Sequence, residues 1–132
     1  MGKYFTIKEL CHSDTAIAHK LDNSCKPEYQ RNLEALITNV LDPLREAYGK
    51  PIRVNSGYRC MALNKILGGV HNSEHLKGMA ADITGGSKGE NKKIFDLIQQ
   101  LNLPFRQLIN EKNFSWVHVS YNPTDIKKQV IW

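Results

Sequence analysis

The longest regular pattern of apolar residues in the chain has the period of an α-helix. The apolar positions recur at intervals of three and four residues, at Leu33, Leu36, Ile37, Val40, Leu41, Leu44 and Ala47. Such spacing gives a helix one apolar face, which packs on a core. Pro43 lies within the pattern and is expected to kink or restart the helix, because proline removes a helical hydrogen bond. This segment is predicted to be the main core helix.

Three shorter helices are also predicted. Thr6-Ile7-Lys8-Glu9 has the form of a capping box, so a helix should begin there. Residues 60–67 are predicted as a brief helix closed by Gly68-Gly69, and residues 94–101 have helical spacing before Pro104. Residues 85–89 are predicted to be a flexible loop, since their glycines lack the spacing of a phosphate-binding motif.

Short alternating or apolar runs predict the strands. They are residues 52–56, 79–83, 107–111 and 116–120, with a last strand within residues 127–132. A polar turn, Lys112-Asn113-Phe114-Ser115, separates the third run from the fourth. We expect an α+β fold in which helices pack on one side of a small, mainly antiparallel sheet and leave its other face exposed.

The size and composition suit a single globular domain over residues 1–132. The chain is 41% hydrophobic and 23% charged, and no segment approaches the ~20 apolar residues that span a bilayer. Met1-Gly2-Lys3-Tyr4-Phe5 lacks the apolar stretch and cleavage site of a secretory signal. We therefore expect a monomer without a signal peptide, made in the cytoplasm.

The formal net charge of +5 implies attraction to polyanions, among them nucleic acid, anionic lipid and bacterial cell-wall polymers. The basic residues are scattered, and no basic motif interleaved with aromatic residues occurs, so a nucleic-acid partner is not expected. Three cysteines, Cys11, Cys25 and Cys60, form no Cys-x-x-Cys pair. They are interpreted as reduced thiols, or as one disulfide with one thiol left over.

Candidate metal ligands lie on the predicted exposed face. Strand alternation places Asp82 beside the small Ala80, and His118 on the face away from its valine neighbours, while Gly78 allows a turn between His75 and the strand. Two imidazoles and a carboxylate are a zinc ligand set that leaves one of four positions open for water. The same ligand types can also hold iron.

Five motifs follow one another along the chain: Phe5-Thr6-Ile7-Lys8-Glu9-Leu10, Val54-Asn55-Ser56-Gly57-Tyr58-Arg59, Leu63-Asn64 with Gly68-Gly69, Ser73 to Asp82, and Trp116-Val117-His118. This ordered set resembles the LAS-type zinc peptidases, which include D-Ala-D-Ala carboxypeptidases, dipeptidases and phage endolysins that cut peptidoglycan stem peptides. The resemblance implies that His75, Asp82 and His118 hold zinc. It also implies that Arg59 contacts a substrate carboxylate or carbonyl.

The chemistry of the side chains suits substrate roles for two residues. Arg59 carries a permanent planar charge that can orient a free C-terminus or the side chain of D-Glu, although a surface salt bridge is the alternative. Ser73 could donate a hydrogen bond to substrate or support His75, and a simple turn or cap role is the alternative.

The general base departs from the family pattern. Many family members have an acidic residue three positions before the last histidine ligand, where this chain has Ser115. We assign the role of general base to Glu111 instead, because a four-residue turn would pair it with Trp116 and direct its side chain to the metal face. A shift of one residue in the pairing of the two strands would turn the Glu111 side chain to the opposite face. Glu74 is the rival base, and His71 is a candidate substrate contact or a loop residue without a role.

We therefore expect a zinc peptidase that hydrolyses amide bonds of peptidoglycan stem peptides, as a D-Ala-D-Ala carboxypeptidase or an endolysin-type endopeptidase. It would act on the bacterial cell wall after release, as phage lysins do. The alternative is a non-catalytic, zinc-containing module that binds the cell wall, which Ser115 at the expected acid position favours.

Overall fold

The computed structural model describes residues 3–132, so Met1 and Gly2, on which the signal-peptide expectation partly falls, lie outside the described residues. The helices are α1 (Ile7–Cys11), α2 (Asp14–Ala18), α3 (Pro27–Leu36), α4 (Asp42–Tyr48), α5 (Met61–Ile66) and α6 (Lys88–Gln100). A π-helical segment (Ile37–Leu41) joins α3 to α4, and a 3-10 helix (Glu74–Lys77) precedes the second strand. The strands are β1 (Arg53–Ser56), β2 (Ala80–Thr84), β3 (Gln107–Glu111), β4 (Trp116–Ser120) and β5 (Gln129–Ile131).

The strands form one sheet in the order β1-β2-β4-β3-β5. All neighbours are antiparallel except β5, which runs parallel to β3 at the edge, so the sheet is mixed. Residues 121–128 carry the chain from the end of β4 back to the start of β3, and β5 therefore runs in the direction of β3. The predicted α+β fold with a mainly antiparallel sheet is confirmed.

The core lies between the helices and one face of the sheet. Its fully buried side chains include Leu33, Leu36, Leu44, Ile83, Phe95, Ile98, Leu108, Val117 and Val119. Burying a large apolar side chain contributes about 1.5–3 kcal/mol, so this layer supplies most of the stabilisation. Since side chains alternate along a strand, the residues between these core positions point to the opposite face.

Pro43 interrupts the long core helix as predicted. The segment before it is π-helical, and the Asp42 amide donates to the Ile37 carbonyl. Pro43 itself lies in the first turn of α4, where its missing N–H costs least. The wider turn makes room for the ring without ending the helix.

One local prediction is corrected, and one helix was not predicted. Residues 85–89 are not all loop, because α6 begins at Lys88, with the Ser87 hydroxyl accepting from the Glu90 amide at 3.2 Å. The helix that was not predicted is α2, whose N-terminus is capped by the Ser13 hydroxyl accepting from the Ala16 amide at 3.1 Å. Both helices begin at a serine cap, which decides their start more than the apolar pattern does.

Cys11, Cys25 and Cys60 are free thiols. Burial, together with the neighbouring Cys11 thiol, raises the pKa of Cys25 to about 12. No helix within residues 3–132 has the length and apolar character needed to span a membrane.

Candidate metal centre

His75 is fixed by the backbone around Gly57. It lies on the 3-10 helix, is 3% exposed, and has Nδ1 2.7 Å from the Gly57 carbonyl oxygen. A carbonyl oxygen can only accept, so Nδ1 carries the proton and Nε2 keeps its lone pair free. In return, the Arg59 amide donates to the His75 carbonyl at 3.0 Å. The Nε2 atom lies 3.4 Å from Oδ2 of Asp82.

Two glycines allow this close arrangement. A Cβ atom on Gly57 would lie 2.3 Å from the Leu10 carbonyl oxygen, so the backbone can approach α1 only without a side chain. Gly78 has φ +72°, and its Cβ would lie 2.6 Å from the Tyr29 carbonyl oxygen. The left-handed conformation at Gly78 is the predicted turn between His75 and β2.

Asp82 and His118 come from paired positions on β2 and β4. Nδ1 of His118 lies 3.0 Å from Oδ1 of Asp82, and the two histidine rings are 5.2 Å apart at 68°. One donor atom from each of His75, Asp82 and His118 lies within 4.8 Å of the others. Two imidazole nitrogens and a carboxylate oxygen at this separation fit a zinc ion with one open position.

Asp82 stays ionised at this site. Burial alone would raise the pKa of its carboxyl, but hydrogen bonds and charge from His118 and His75 hold that pKa below its ordinary value. Only 10% of the side chain is exposed. An ionised, water-poor carboxylate between two imidazoles is a strong ligand for a divalent cation.

Arg59 is largely enclosed in the site, with 13% of its side chain exposed, and is not a surface salt bridge. Its three nitrogen groups contact three different side chains: Nε donates to Ser56 Oγ at 2.9 Å, Nη1 to Asn64 Oδ1 at 3.2 Å and Nη2 to Asp82 Oδ2 at 3.3 Å. Burial lowers the pKa of Arg59, and the Asp82 charge opposes that shift. A guanidinium has five N–H donors, so two remain for a ligand.

Glu111 lies on the metal side of the sheet, as the four-residue turn predicts. Glu111 pairs with Trp116 and Ile109 with His118. Glu111 is therefore the diagonal neighbour of His118, and both line one cleft together with Ser73. Within residues 3–132, no hydrogen bond or salt bridge engages its carboxylate, which is half-buried.

The other candidates either contact other groups or lie outside this cleft. Glu74 lines the same cleft, but its Oε1 lies 3.4 Å from Nη1 of Arg106, whose Nε donates to Asp125 at 2.8 Å. Ser115 is exposed in the turn, and its hydroxyl donates to the Lys112 carbonyl at 2.7 Å. His71 is exposed and lines a separate depression beside Met61.

Ser73 caps the 3-10 helix, where its hydroxyl oxygen accepts from the His75 amide at 3.2 Å. Its hydroxyl hydrogen remains available to the cleft that Ser73 lines. The structure therefore shows the supporting role for His75, and it leaves room for a contact with substrate.

Sequence reasoning missed the partners that hold these groups. Ser56 and Asn64 lie close to Arg59 in the sequence, within the family motifs, and that closeness was the available signal. Arg106 and Asp125 had no such signal, because both are far from Glu74 in sequence.

A second depression also borders the centre. Asp82 and Arg59 line it with Trp116, Arg53, Asn55 and the loop that carries His12. The metal ligands thus border two depressions, Asp82 with Arg59 in one and His118 with Glu111 in the other.

Comparison with known proteins agrees with this geometry. A family model described as Peptidase M15 matches residues 3–120. A segment of 50 residues is 48% identical to the zinc D-Ala-D-Ala carboxypeptidase of Streptomyces albus G. That segment covers 37% of this chain and 20% of the relative's own length.

Proposed function

The chain belongs to the Peptidase M15 family of zinc metallopeptidases, and we propose that it hydrolyses amide bonds in the stem peptides of peptidoglycan. The carrying observation is the cluster of buried His75, buried Asp82 and half-buried His118, with Glu111 on the same face of the sheet as His118. The match to the family, and the segment that is similar to a zinc D-Ala-D-Ala carboxypeptidase, support the same function.

Three side chains would hold the zinc: His75 through its free Nε2, the Asp82 carboxylate, and the His118 imidazole. When bound, zinc supplies a Lewis acid that polarises a carbonyl group and makes water more acidic. The protein's contribution is to bury two of these ligands, His75 and Asp82, and to keep Asp82 ionised.

Glu111 is the proposed general base. Its carboxylate has no competing partner within the described chain and faces the cleft that His118 lines. It would accept a proton from the attacking water and return it to the leaving amine. Glu74 is the weaker candidate, because Arg106 engages its carboxylate.

Arg59 and Ser73 would bind the substrate. The two N–H groups of Arg59 that are not used by the protein suit a carboxylate or a carbonyl oxygen. The Ser73 hydroxyl can donate into the cleft that it lines with His118 and Glu111. Because Arg59 lines one depression with Asp82 and Ser73 lines another with His118, a peptide that contacts both would pass close to the metal ligands.

Two activities with different scissile bonds are proposed as alternatives: a D-Ala-D-Ala carboxypeptidase or an endolysin-type endopeptidase. The proposed site of action is the bacterial cell wall, whose anionic polymers would attract a chain of net charge +5. A free C-terminus bound by Arg59 would indicate the first activity, and cleavage inside the stem the second.

The test is digestion of purified peptidoglycan by the zinc-loaded protein, with the fragments identified by mass spectrometry. Glu111→Gln should lower kcat by about 10²–10⁴-fold while zinc content is retained. Glu34→Gln, an exposed residue of α3, is the matched control and should keep wild-type activity. Full activity of Glu111→Gln rejects Glu111 as the general base. A zinc-loaded wild type without activity favours the alternative function, a non-catalytic module that binds the cell wall.

A further inference from the structure

Asn91 is a buried polar side chain that the proposed chemistry does not use. It lies in the first turn of α6 and is 1% exposed. Its amide oxygen accepts from the Gly85 amide at 2.7 Å and from Thr84 Oγ1 at 3.0 Å. Its amide nitrogen donates to the carbonyl oxygens of Phe114 at 2.8 Å and Ser115 at 3.2 Å. A primary amide has two donors and two acceptor positions, so every one is used.

The four hydrogen bonds join two parts of the site. Thr84 is the last residue of β2, the strand that carries Asp82, and Gly85 follows it directly. Phe114 and Ser115 belong to the turn between β3 and β4, and these strands carry Glu111 and His118. Asn91 therefore connects the metal-ligand strand directly to the turn that sets the hairpin.

That turn needs support from outside. Lys112, Asn113 and Phe114 all have positive φ, at 47°, 54° and 62°. Residues with a Cβ disfavour this left-handed conformation, and three in succession are held only by surrounding contacts. One is the Asn110 side chain, which accepts from the Phe114 amide, and another is the edge contact of the Phe114 ring with Phe95.

The turn decides which way Glu111 points. The register of a hairpin follows its turn geometry, and a slip of one residue moves every side chain of the strand to the other face. With the present turn, Glu111 pairs with Trp116 and faces the metal side. If the turn relaxed, the pairing of the two strands would loosen first at Glu111, because Glu111 is the last residue of β3.

We propose that Asn91 is a positioning residue for the peptidase reaction: by holding the left-handed turn against the end of β2, it keeps the Glu111 carboxylate beside His118. The inference rests on the proposed function, because it needs Glu111 as the base. The hydrogen bonds themselves do not depend on that role.

The variant Asn91→Asp tests the role with little change of size. It keeps an acceptor oxygen for the Gly85 amide but replaces the donor group with an oxygen facing two carbonyls. In cleavage of a peptidoglycan stem peptide, kcat should fall about 10–100-fold, because small misplacement of a catalytic group is costly. KM and zinc content should stay near wild type, since the ladder between β2 and β4 is untouched.

Ile98→Val is the matched control, a fully buried change on the same helix that does not touch the turn. It should lower Tm and leave kcat unchanged. Wild-type kcat in Asn91→Asp overturns the inference, as does a variant in which KM rises and zinc content falls together with kcat.

A measurement on the wild type covers the case in which Asn91→Asp does not fold. The side-chain amide protons of Asn91 should exchange with solvent about 100-fold more slowly than those of exposed Asn113. Equal exchange overturns the inference without any variant. A zinc-loaded wild type that cleaves no stem peptide rejects the proposed function and with it the catalytic role of Asn91, whereas an active wild type with an unaffected Asn91→Asp rejects the inference alone.

Discussion

Asp82 and His118 lie directly opposite each other on adjacent antiparallel strands, with Nδ1 of His118 3.0 Å from Oδ1 of Asp82. The backbone ladder between β2 and β4 therefore sets the spacing of two of the three candidate ligands. His75 comes from outside the sheet and is held by the Gly57 carbonyl. A rigid sheet, together with one oriented histidine on a short 3-10 helix, is a preorganised frame for a metal ion.

Arg59→Lys should impair catalysis although it keeps the charge. Lysine cannot reproduce the planar fork that contacts Ser56, Asn64 and Asp82 together. We expect kcat/KM on a stem peptide to fall about 10–100-fold, with zinc content retained. The measurement is steady-state kinetics beside Arg31→Lys, an exposed change on α3 that should have no effect. Unchanged kinetics in Arg59→Lys would remove Arg59 from the proposed mechanism.

Gly57→Ala should destabilise the protein and weaken metal binding. The new Cβ would lie 2.3 Å from the Leu10 carbonyl oxygen, so the backbone that supports His75 must move. We expect a loss of about 1–3 kcal/mol in the free energy of unfolding.

Gly89→Ala is the matched control for Gly57→Ala. It lies in α6 with nothing within 4 Å of the new Cβ, and it should be neutral or stabilising by up to about 1 kcal/mol. Urea unfolding measures both changes. Equal stability of the two variants would contradict the close approach at Gly57.

Glu90 should give the stability a defined pH dependence. Hydrogen bonds from Lys50, Tyr48 and Lys93 lower the pKa of Glu90 to about 2. Because the folded pKa lies below the unfolded value of about 4.3, the contribution is full above that value and is lost as the pH falls toward 2.

The measurement is Tm against pH for wild type and Glu90→Gln. The gap in Tm should be largest near neutral pH and should close on approaching pH 2. Glu34→Gln, which removes an exposed carboxylate of α3, is measured beside it as the control. A gap for Glu90→Gln that is constant from pH 7 to pH 2 would refute the ionic contribution.

Much of the site follows from local sequence patterns. Alternation along β4 separates His118 from the buried Val117 and Val119, and the length of the turn predicts the pairing of Glu111 with Trp116. These features depend on residues close in the chain, where the period of a strand and the geometry of a turn decide the outcome.

Contacts between residues that are far apart in the sequence could not be predicted from local patterns. Nothing near Glu74 indicates that Arg106 and Asp125 engage it, and the parallel pairing of β5 depends on the path of the chain after β4. The starts of α2 and α6 were missed for a local reason, since a serine cap outweighs a weak apolar pattern.

Zinc binding is the most direct test of the centre formed by His75, Asp82 and His118. Elemental analysis of the wild type, after loading with zinc and removal of loosely held metal, should find one zinc per chain. Competition with a chelator should show affinity weakened by more than about 100-fold in Asp82→Asn and in His118→Ala, while Asp14→Asn, an exposed control, binds as wild type does. A wild type that takes up no zinc, or ligand variants that keep wild-type affinity, would contradict the account.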